Sequence, residues 1–391
     1  MLPSKGYVDN QNISKRFIGS SNLNLLPYGM IVQTWSNQIV LLDSATGRIV
    51  KHNTLPTGEV PISSVNYKHV TIAPDGTLIL KSQTRPIGCN IPGTMRIIKC
   101  SAQGMTMPNS HLAAVDPNTL EVLHDLDLPA PAASPHIIDM LADQIAIYFG
   151  TTEKLYRYFW DPTAKKLSAD ESWDASGILS EGQTALTAPT IMGEWVAVQT
   201  NGLFSTKAAS SVVVVHKNDA SKRAVIYPFG DTLAAGEISF APPKAGGDPE
   251  NNMVYSADMG MRKIAGIKLD QATGAMETAF VIDDISNTFQ PSIGPKDKRV
   301  LMVTSIRLKS DSQTILESDF TQNQYTEQLT WRDAATGKLL AESDFYAPLT
   351  VNSLTTPGYG GRTYFPTAMG RGFYVLQVMP KPAPQQAPAG N

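Results

Sequence analysis

Cysteine is nearly absent from this chain: 391 residues hold two, Cys89 and Cys100, within the segment Gln83–Asn109. A zinc site is not expected from them, because the spacing is wrong and His111 is the nearest imidazole in sequence. Two cysteines alone in one irregular stretch predict a staple across that loop, a device of most use in an oxidising compartment. Charge is scarce as well, at 17% of residues, with a formal net charge of −3. With no basic run, an electrostatic nucleic-acid footprint is excluded. No apolar stretch approaches the roughly 20 residues that a membrane-spanning helix needs. The opening Met1-Leu-Pro-Ser-Lys-Gly lacks the apolar core of a signal peptide. The chain therefore reads as cytosolic or as exported with its signal removed, and the cysteine pair favours a periplasmic or secreted protein. Gly-x-Ser-x-Gly, phosphate-loop and dinucleotide fingerprints are missing too, as is any long amphipathic helix.

What is present is a repeat. Leu26-Pro27, Ala73-Pro74, Ser134-Pro135, Ala188-Pro189, Ala241-Pro242, Gln290-Pro291 and Thr356-Pro357 recur at intervals of about 50 to 60 residues. Each proline is expected at the start of a short apolar strand. A turn of the form Asp-x-x-Thr-Gly-Lys/Arg, or a worn version of it, keeps the same phase. It starts at Asp43, Asp116, Asp161, Asn218, Asp270 and Asp333. Around Pro189 the unit reads as four strands: Ala185–Ile191, Trp195–Thr200, Ser211–His216 and Arg223–Tyr227, with Asn201-Gly202 as a turn. Seven such units predict an all-β fold, a single seven-bladed β-propeller of four-stranded antiparallel blades over residues 1–380. The seventh unit runs out before its fourth strand, which Gly6–Ile18 could supply by joining the chain ends. The tail 381–391 is too rich in proline and alanine to build a core.

The pattern Ala/Ser-Pro, a Val-x-Val strand and Asp-x-x-Thr-Gly-Lys resembles the repeats of quinoprotein-like β-propellers, over roughly residues 20 to 380. That superfamily includes the pyrroloquinoline-quinone alcohol dehydrogenases. The resemblance implies a propeller and admits two roles, an oxidoreductase or a cofactor-free periplasmic assembly scaffold. The dehydrogenases carry adjacent cysteines over the cofactor and a Trp at the end of many repeats. This chain has no Cys-Cys pair and holds Val50, Thr278 and Ala341 at such positions. The quinone (PQQ) is therefore not expected, and any cofactor stays unknown.

Used as a ruler, the proline aligns positions around the predicted channel. Five residues before it stand Asn22, His69, Ala130, Thr184, Glu237, Ser286 and Asn352, six of the seven able to hydrogen-bond. Period-two alternation would aim this set at the channel mouth. His69 and Glu237 are the imidazole and carboxylate of the ring, a candidate pair for general acid and base work. Asn22, Thr184, Ser286 and Asn352 would orient a ligand, with His136 and Gln290 as further members. Two insertions, 83–109 with Arg85 and 308–328 with Tyr325, follow second strands and should shape the same mouth. The expected function is binding of a small molecule or a protein at that mouth, with no nucleic-acid partner and no membrane-spanning segment. An enzyme, oxidoreductase or lyase/isomerase, using His69 and Glu237 is the alternative, and a non-catalytic scaffold the second. His216, His52, His111 and His124 read as turn or strand-end residues, and Asp283-Asp284 as solvated loop.

Overall fold

The computed structural model describes residues 23–26, 29–33, 37–43, 45–57, 64–89, 100, 103–241, 244–308, 325–345, 356–357, 362–366 and 373–379. They form antiparallel sheets in chain order, each a simple meander. Sheet 1 comprises β1 (Leu23–Leu26), β2 (Gly29–Gln33), β3 (Gln38–Leu42) and β4 (Ile49–Thr54). Sheet 2 comprises β5 (Val65–Ile72), β6 (Leu78–Thr84), β7 (His111–Val115) and β8 (Val122–Asp127). Sheet 3 holds β9 (Ile137–Leu141), β10 (Gln144–Gly150), β11 (Leu155–Asp161) and β12 (Lys166–Ala169). Sheet 4 holds β13 (Thr190–Met192), β14 (Trp195–Gln199), β15 (Val212–His216) and β16 (Asp219–Ile226). Sheet 5 is built from β17 (Gly246–Asp248), β18 (Met253–Asp258), β19 (Lys263–Leu269) and β20 (Met276–Asp283). Sheet 6 is built from β21 (Ser286–Ile293), β22 (Val300–Leu308), β23 (Tyr325–Asp333) and β24 (Leu339–Glu342). A last sheet shows three strands, β25 (Thr356–Pro357), β26 (Arg362–Pro366) and β27 (Phe373–Gln377). Gly6–Ile18, Asn22, Pro27, Pro242, Asn352 and the tail 381–391 lie outside the described residues.

The middle strands of sheets 1 to 6 are largely buried on both faces, which explains their continuous apolar runs: β14 and β15 read WVAVQ and VVVVH. Alternate residues serve opposite neighbours. Ile79, Leu112 and Ala114 pack toward sheet 3, while Leu78, Leu80 and Val115 pack toward sheet 1. First strands lie innermost. β13 runs beside β9 and β17, and β17 beside β21, with a parallel bridge from Ala188 to Lys244. Fourth strands are half-exposed, as the ieieieie-type alternation of β20 shows.

The aspartate turns join third to fourth strands. Asp43 Oδ1 accepts from Ala45 N (3.1 Å) and Thr46 N (2.7 Å), and the turn closes with Gly47 N donating to Asp43 O at 2.8 Å. Asp270 and Asp333 repeat this, with Gly274 and Gly337 at φ 77° and 72°. These backbone donors hold the Asp43 and Asp270 carboxyls below the usual range, after the Thr46 hydroxyl in the case of Asp43. Gly274 serves a second purpose, since a Cβ there would lie 2.3 Å from the Trp195 ring. Trp195 Nε1 donates to Gln271 O of that turn at 3.0 Å, so sheet 4 is stitched to sheet 5. Asn53 to Leu120 O (2.7 Å), Trp160 to Asp75 Oδ2 (3.0 Å) and Tyr255 to Ala334 O (3.0 Å) make similar stitches between sheets. Sheet 4 departs from expectation: Asn218 does not head a turn. Asp219 already begins β16, leaving a two-residue hairpin, and its carboxylate binds Ser221 instead.

Candidate functional site

The proline ruler slips. Pro74 follows β5, in the turn to β6, whereas Pro189 immediately precedes β13, Pro135 precedes β9 by two residues and Pro291 lies inside β21. Positions counted from it are therefore not level. His69 sits in the middle of β5, opposite Lys81. Thr184 and Glu237 sit in the segments leading into β13 and β17.

The aspartate turn is the truer ruler. Four residues before Asp43, Asp116, Asp161, Asp270 and Asp333 stand Ile39, Leu112, Arg157, Gly266 and Leu329. Their partners on the second strands are Gln33, Lys81, Tyr148, Tyr255 and Thr304. In sheet 4 the matching pair is Val212 with Gln199; Val212 packs toward sheet 5 as Leu112 packs toward sheet 3. Residues directly opposite in a sheet share a face, so all six second-strand side chains enter the interface with the next sheet. All six carry a polar group, and none is more than 1% exposed. Buried polar groups need partners, and here the sheets differ.

Gln199 and Tyr255 have them. Gln199 Oε1 accepts from Ser256 Oγ (3.0 Å) and Ala257 N (3.3 Å) of sheet 5, and the Tyr255 hydroxyl donates to Ala334 O of sheet 6. The segments leading into sheets 4 and 5 extend this network. Asn201 exchanges two hydrogen bonds with the Ala241 backbone (2.9 and 3.2 Å), and Gln183 Nε2 donates to Ala208 O and Ser239 Oγ. Asp258 accepts from the backbones of Phe240, Gly260 and Met261 and from Ser239 Oγ, at 2.9 to 3.1 Å. Burial nevertheless raises its pKa, against the pull of these donors.

Sheets 1 to 3 are different. Among the described residues neither amide atom of Gln33 has a hydrogen-bond partner, and the Tyr67 hydroxyl is likewise buried without one. Tyr148 sets its hydroxyl beside the Arg157 guanidinium. Lys81 Nζ donates to Ser82 O at 3.1 Å and forms no ion pair among the described residues. Desolvation pushes its pKa down to about 7. His136, just before β9, is 5% exposed, with the Ile79 backbone nearby but no hydrogen bond of good geometry at either ring nitrogen. Burial first, and the Lys81 charge second, push its pKa down to about 3. His69, Lys81 and His136 thus form one cluster where the first strands of sheets 2 and 3 meet the second strand of sheet 2. Thr304 in sheet 6 also has a hydroxyl without a partner among the described residues.

The other predicted residues are mostly engaged elsewhere. Glu237 is half-buried, and its carboxylate accepts from Ala234 N at 2.8 Å, its one hydrogen bond among the described residues. It therefore does not pair with His69. Thr184 Oγ1 donates to Asn201 O at 2.9 Å. Ser286 is buried opposite Ser305 at the start of β21, and Tyr325 packs among Phe240, Met259, Ile285 and Ile306. Gln290 lies on β21, opposite Met302. Arg85 follows β6, where its backbone N–H donates to Ser64 O at 2.9 Å. Asp284 is not solvated loop: it is buried, accepting from Arg307 (2.6 Å), Arg332 (2.9 Å) and Ser305 (2.8 Å). The expected Cys89–Cys100 disulfide is present, with Cα atoms 5.9 Å apart. Of the second insertion, 309–324 lie outside the described residues.

A cavity of about 370 Å³ opens away from the axis, between the outer parts of sheets 3 and 4, lined by Arg157, Trp173, Asp174, Asn218 and Arg223 among others. Its charged groups are already spent locally: Arg157 on Asp170 and Lys217 O, Arg223 on Ser176 O, Asp174 on Lys154. None of the predicted site residues lines it. Among the described residues no three His, Cys, Asp or Glu side chains converge as a metal site would require, and no helix is long and apolar enough to cross a membrane.

The fold has many counterparts among solved structures. The β-propeller domain of Cps50 (Swd1) from Myceliophteria thermophila is 8% identical, with a TM-score of 0.50 over 92% of this chain and 97% of that one. BamB from Moraxella catarrhalis is 12% identical, with a TM-score of 0.45 over 91% and 87%. BBS1N, solved in complex with ARL6DN, is 9% identical, with a TM-score of 0.49 over 90% and 89%. No family model matches the sequence, and no curated protein matches it. Consecutive four-stranded meanders with first strands innermost, together with the Cps50 likeness, make this chain a β-propeller.

Proposed function

We propose that the chain is a binding protein, an exported seven-bladed propeller that takes a small molecule or a protein partner at its channel, on the side formed by sheets 1 to 3. One observation carries this reading: Lys81, His69 and His136 are buried together by the inner strands, and among the described residues Lys81 has no ion pair and neither ring nitrogen of His136 a hydrogen bond of good geometry. A buried ammonium without a counter-charge beside two imidazoles is a polar set of the kind a ligand site requires. The loop stapled by Cys89–Cys100, with Arg85 at its base, and the segment 308–328 would form the rim. Asn22 and Asn352 would complete the polar ring, and the N-terminal segment would add the fourth strand to the last sheet. The disulfide supports a periplasmic or secreted location, and the aspartate turns support kinship of the repeats with the quinoprotein-like type. Catalysis by His69 and Glu237 draws less support, since Glu237 is bound to its own loop.

The test is analysis of small molecules released by denaturing protein purified from its native host. Wild type is expected to release a stoichiometric ligand that Lys81→Met lacks. Identical release from both would refute the location, and purification with a protein partner bound at sheets 4 and 5 would move the function there.

A further inference from the structure

Lys81 presents a problem of charge. An ammonium has three N–H donors, and this one reaches a single acceptor, the Ser82 carbonyl. The chain holds 35 acidic residues, yet none pairs with Lys81 among the described residues. The other cations at depth show the ordinary solution. Buried Lys217 has Asp139 at 2.8 Å and buried Arg157 has Asp170, while the half-buried Arg307 and Arg332 share Asp284. Lys81 is instead faced by His69 across the pair with β5, by Leu112 across the pair with β7, and by His136 from sheet 3. Of these three facing groups two are imidazoles and one is hydrocarbon, and none is a carboxylate. A water molecule would supply an acceptor but no counter-charge, and an isolated buried charge is costly until it is paired.

We infer that the interface of sheets 2 and 3 at Lys81 binds a compact monovalent anion, a carboxylate group or a halide, with Lys81 as its counter-ion and His69 and His136 as adjoining N–H donors. This inference rests on the binding role proposed above and names the chemistry of that site. One ammonium without a guanidinium fork suits a monoanion; phosphate and sulfate are ordinarily met by bidentate arginine or by several donors at once. An anion also accounts for a lysine where Gln33, Tyr148, Gln199, Tyr255 and Thr304 stand in the other sheets: it brings the charge and the acceptors that this interface lacks.

The six histidines of the chain allow a direct test. The imidazole signals of histidine-labelled protein are followed by NMR during titration with sodium acetate, sodium chloride and sodium sulfate at equal ionic strength. Acetate, chloride or both are expected to shift the His136 and His69 signals saturably, with sulfate ineffective. His52, His124 and His216 should not move, and Lys81→Met should weaken the response at least tenfold. Should that variant fail to fold, His136→Gln is read in the same way. Six signals drifting together without saturation, a sulfate response equal to acetate, or an unchanged response in Lys81→Met would overturn the anion site. Saturable chloride binding with no acetate binding would leave the anion site standing but remove an organic ligand from it. A native ligand that proves uncharged, and is lost in Lys81→Met, would keep the binding role and remove the anion.

Discussion

Gln199 and Gln33 stand at the same level of two sheets, equally buried, with opposite fates. Gln199 bridges to Ser256 and Ala257 of the next sheet, while Gln33 finds no partner for either amide atom among the described residues. The contrast extends around them. The sheet 4 and 5 side carries a dense network through Gln183 Nε2, Asn201, Ser239 and Asp258, with Gln183 Oε1 and Ser210 Oγ left over, whereas the sheet 1 to 3 side carries Gln33, Tyr67, Lys81 and His136. A saturated network rigidifies and specifies one packing; an incomplete one at the same depth is costly unless something else completes it. The sheet 4 and 5 side therefore behaves as scaffold, and the sheet 1 to 3 side is where the proposed binding role would draw on polar groups left open at a cost in stability.

The sharpest way to break the comparison is to damage the scaffold half. Asp258→Ala strands three backbone N–H groups and a serine hydroxyl, and is expected to cost about 3 to 5 kcal/mol in urea unfolding. A loss below about 1 kcal/mol would mean that the network is not the support described. On the other half the sign reverses. Lys81→Met removes an uncompensated charge while keeping the length of the side chain, and should stabilise by about 2 to 4 kcal/mol near neutral pH.

The pH dependence separates the two halves further. Lys81 has a pKa near 7 in the folded chain against 10.5 unfolded. Between these values the unfolded state holds one more proton, so stability should rise with pH by about 1.4 kcal/mol per unit and level off above 10.5. Below pH 7 the cost is present in full, and Lys81→Met should lack the slope. A smaller contrast comes from paired substitutions. Gln199→Leu should cost about 1 to 3 kcal/mol by leaving Ser256 and Ala257 unpaired, while Gln33→Leu should be neutral or mildly stabilising. Smallest is the contribution of His136, whose pKa is depressed from 6.5 to about 3. Its stability is present above pH 6.5 and is lost as pH falls toward 3. At pH 5.5 the loss is about 1.4 kcal/mol relative to His136→Leu.

The two repeat marks in the sequence differ in what they could reveal. Asp43, Asp270 and Asp333 need a left-handed glycine and two aligned backbone donors at fixed offsets, so they hold their register and give the meander directly. Proline is defined by a missing N–H and is tolerated before, within or after an inner strand. Pro74 and Pro189 accordingly stand at opposite ends of theirs, so positions counted from them, His69 and Glu237 included, do not fall at one level. The disulfide was legible because two cysteines had no other partners. The level shared by Gln33, Lys81 and Gln199 was not, because it depends on register between second and third strands. Four residues back from each aspartate, then across the hairpin, would have found it.

Urea unfolding of wild type and Lys81→Met, each with and without sodium acetate, tests the central claim most directly. The account predicts that the variant is the more stable without acetate and indifferent to it, while wild type gains stability as acetate saturates. A less stable variant, or equal gains from acetate in both proteins, would contradict it.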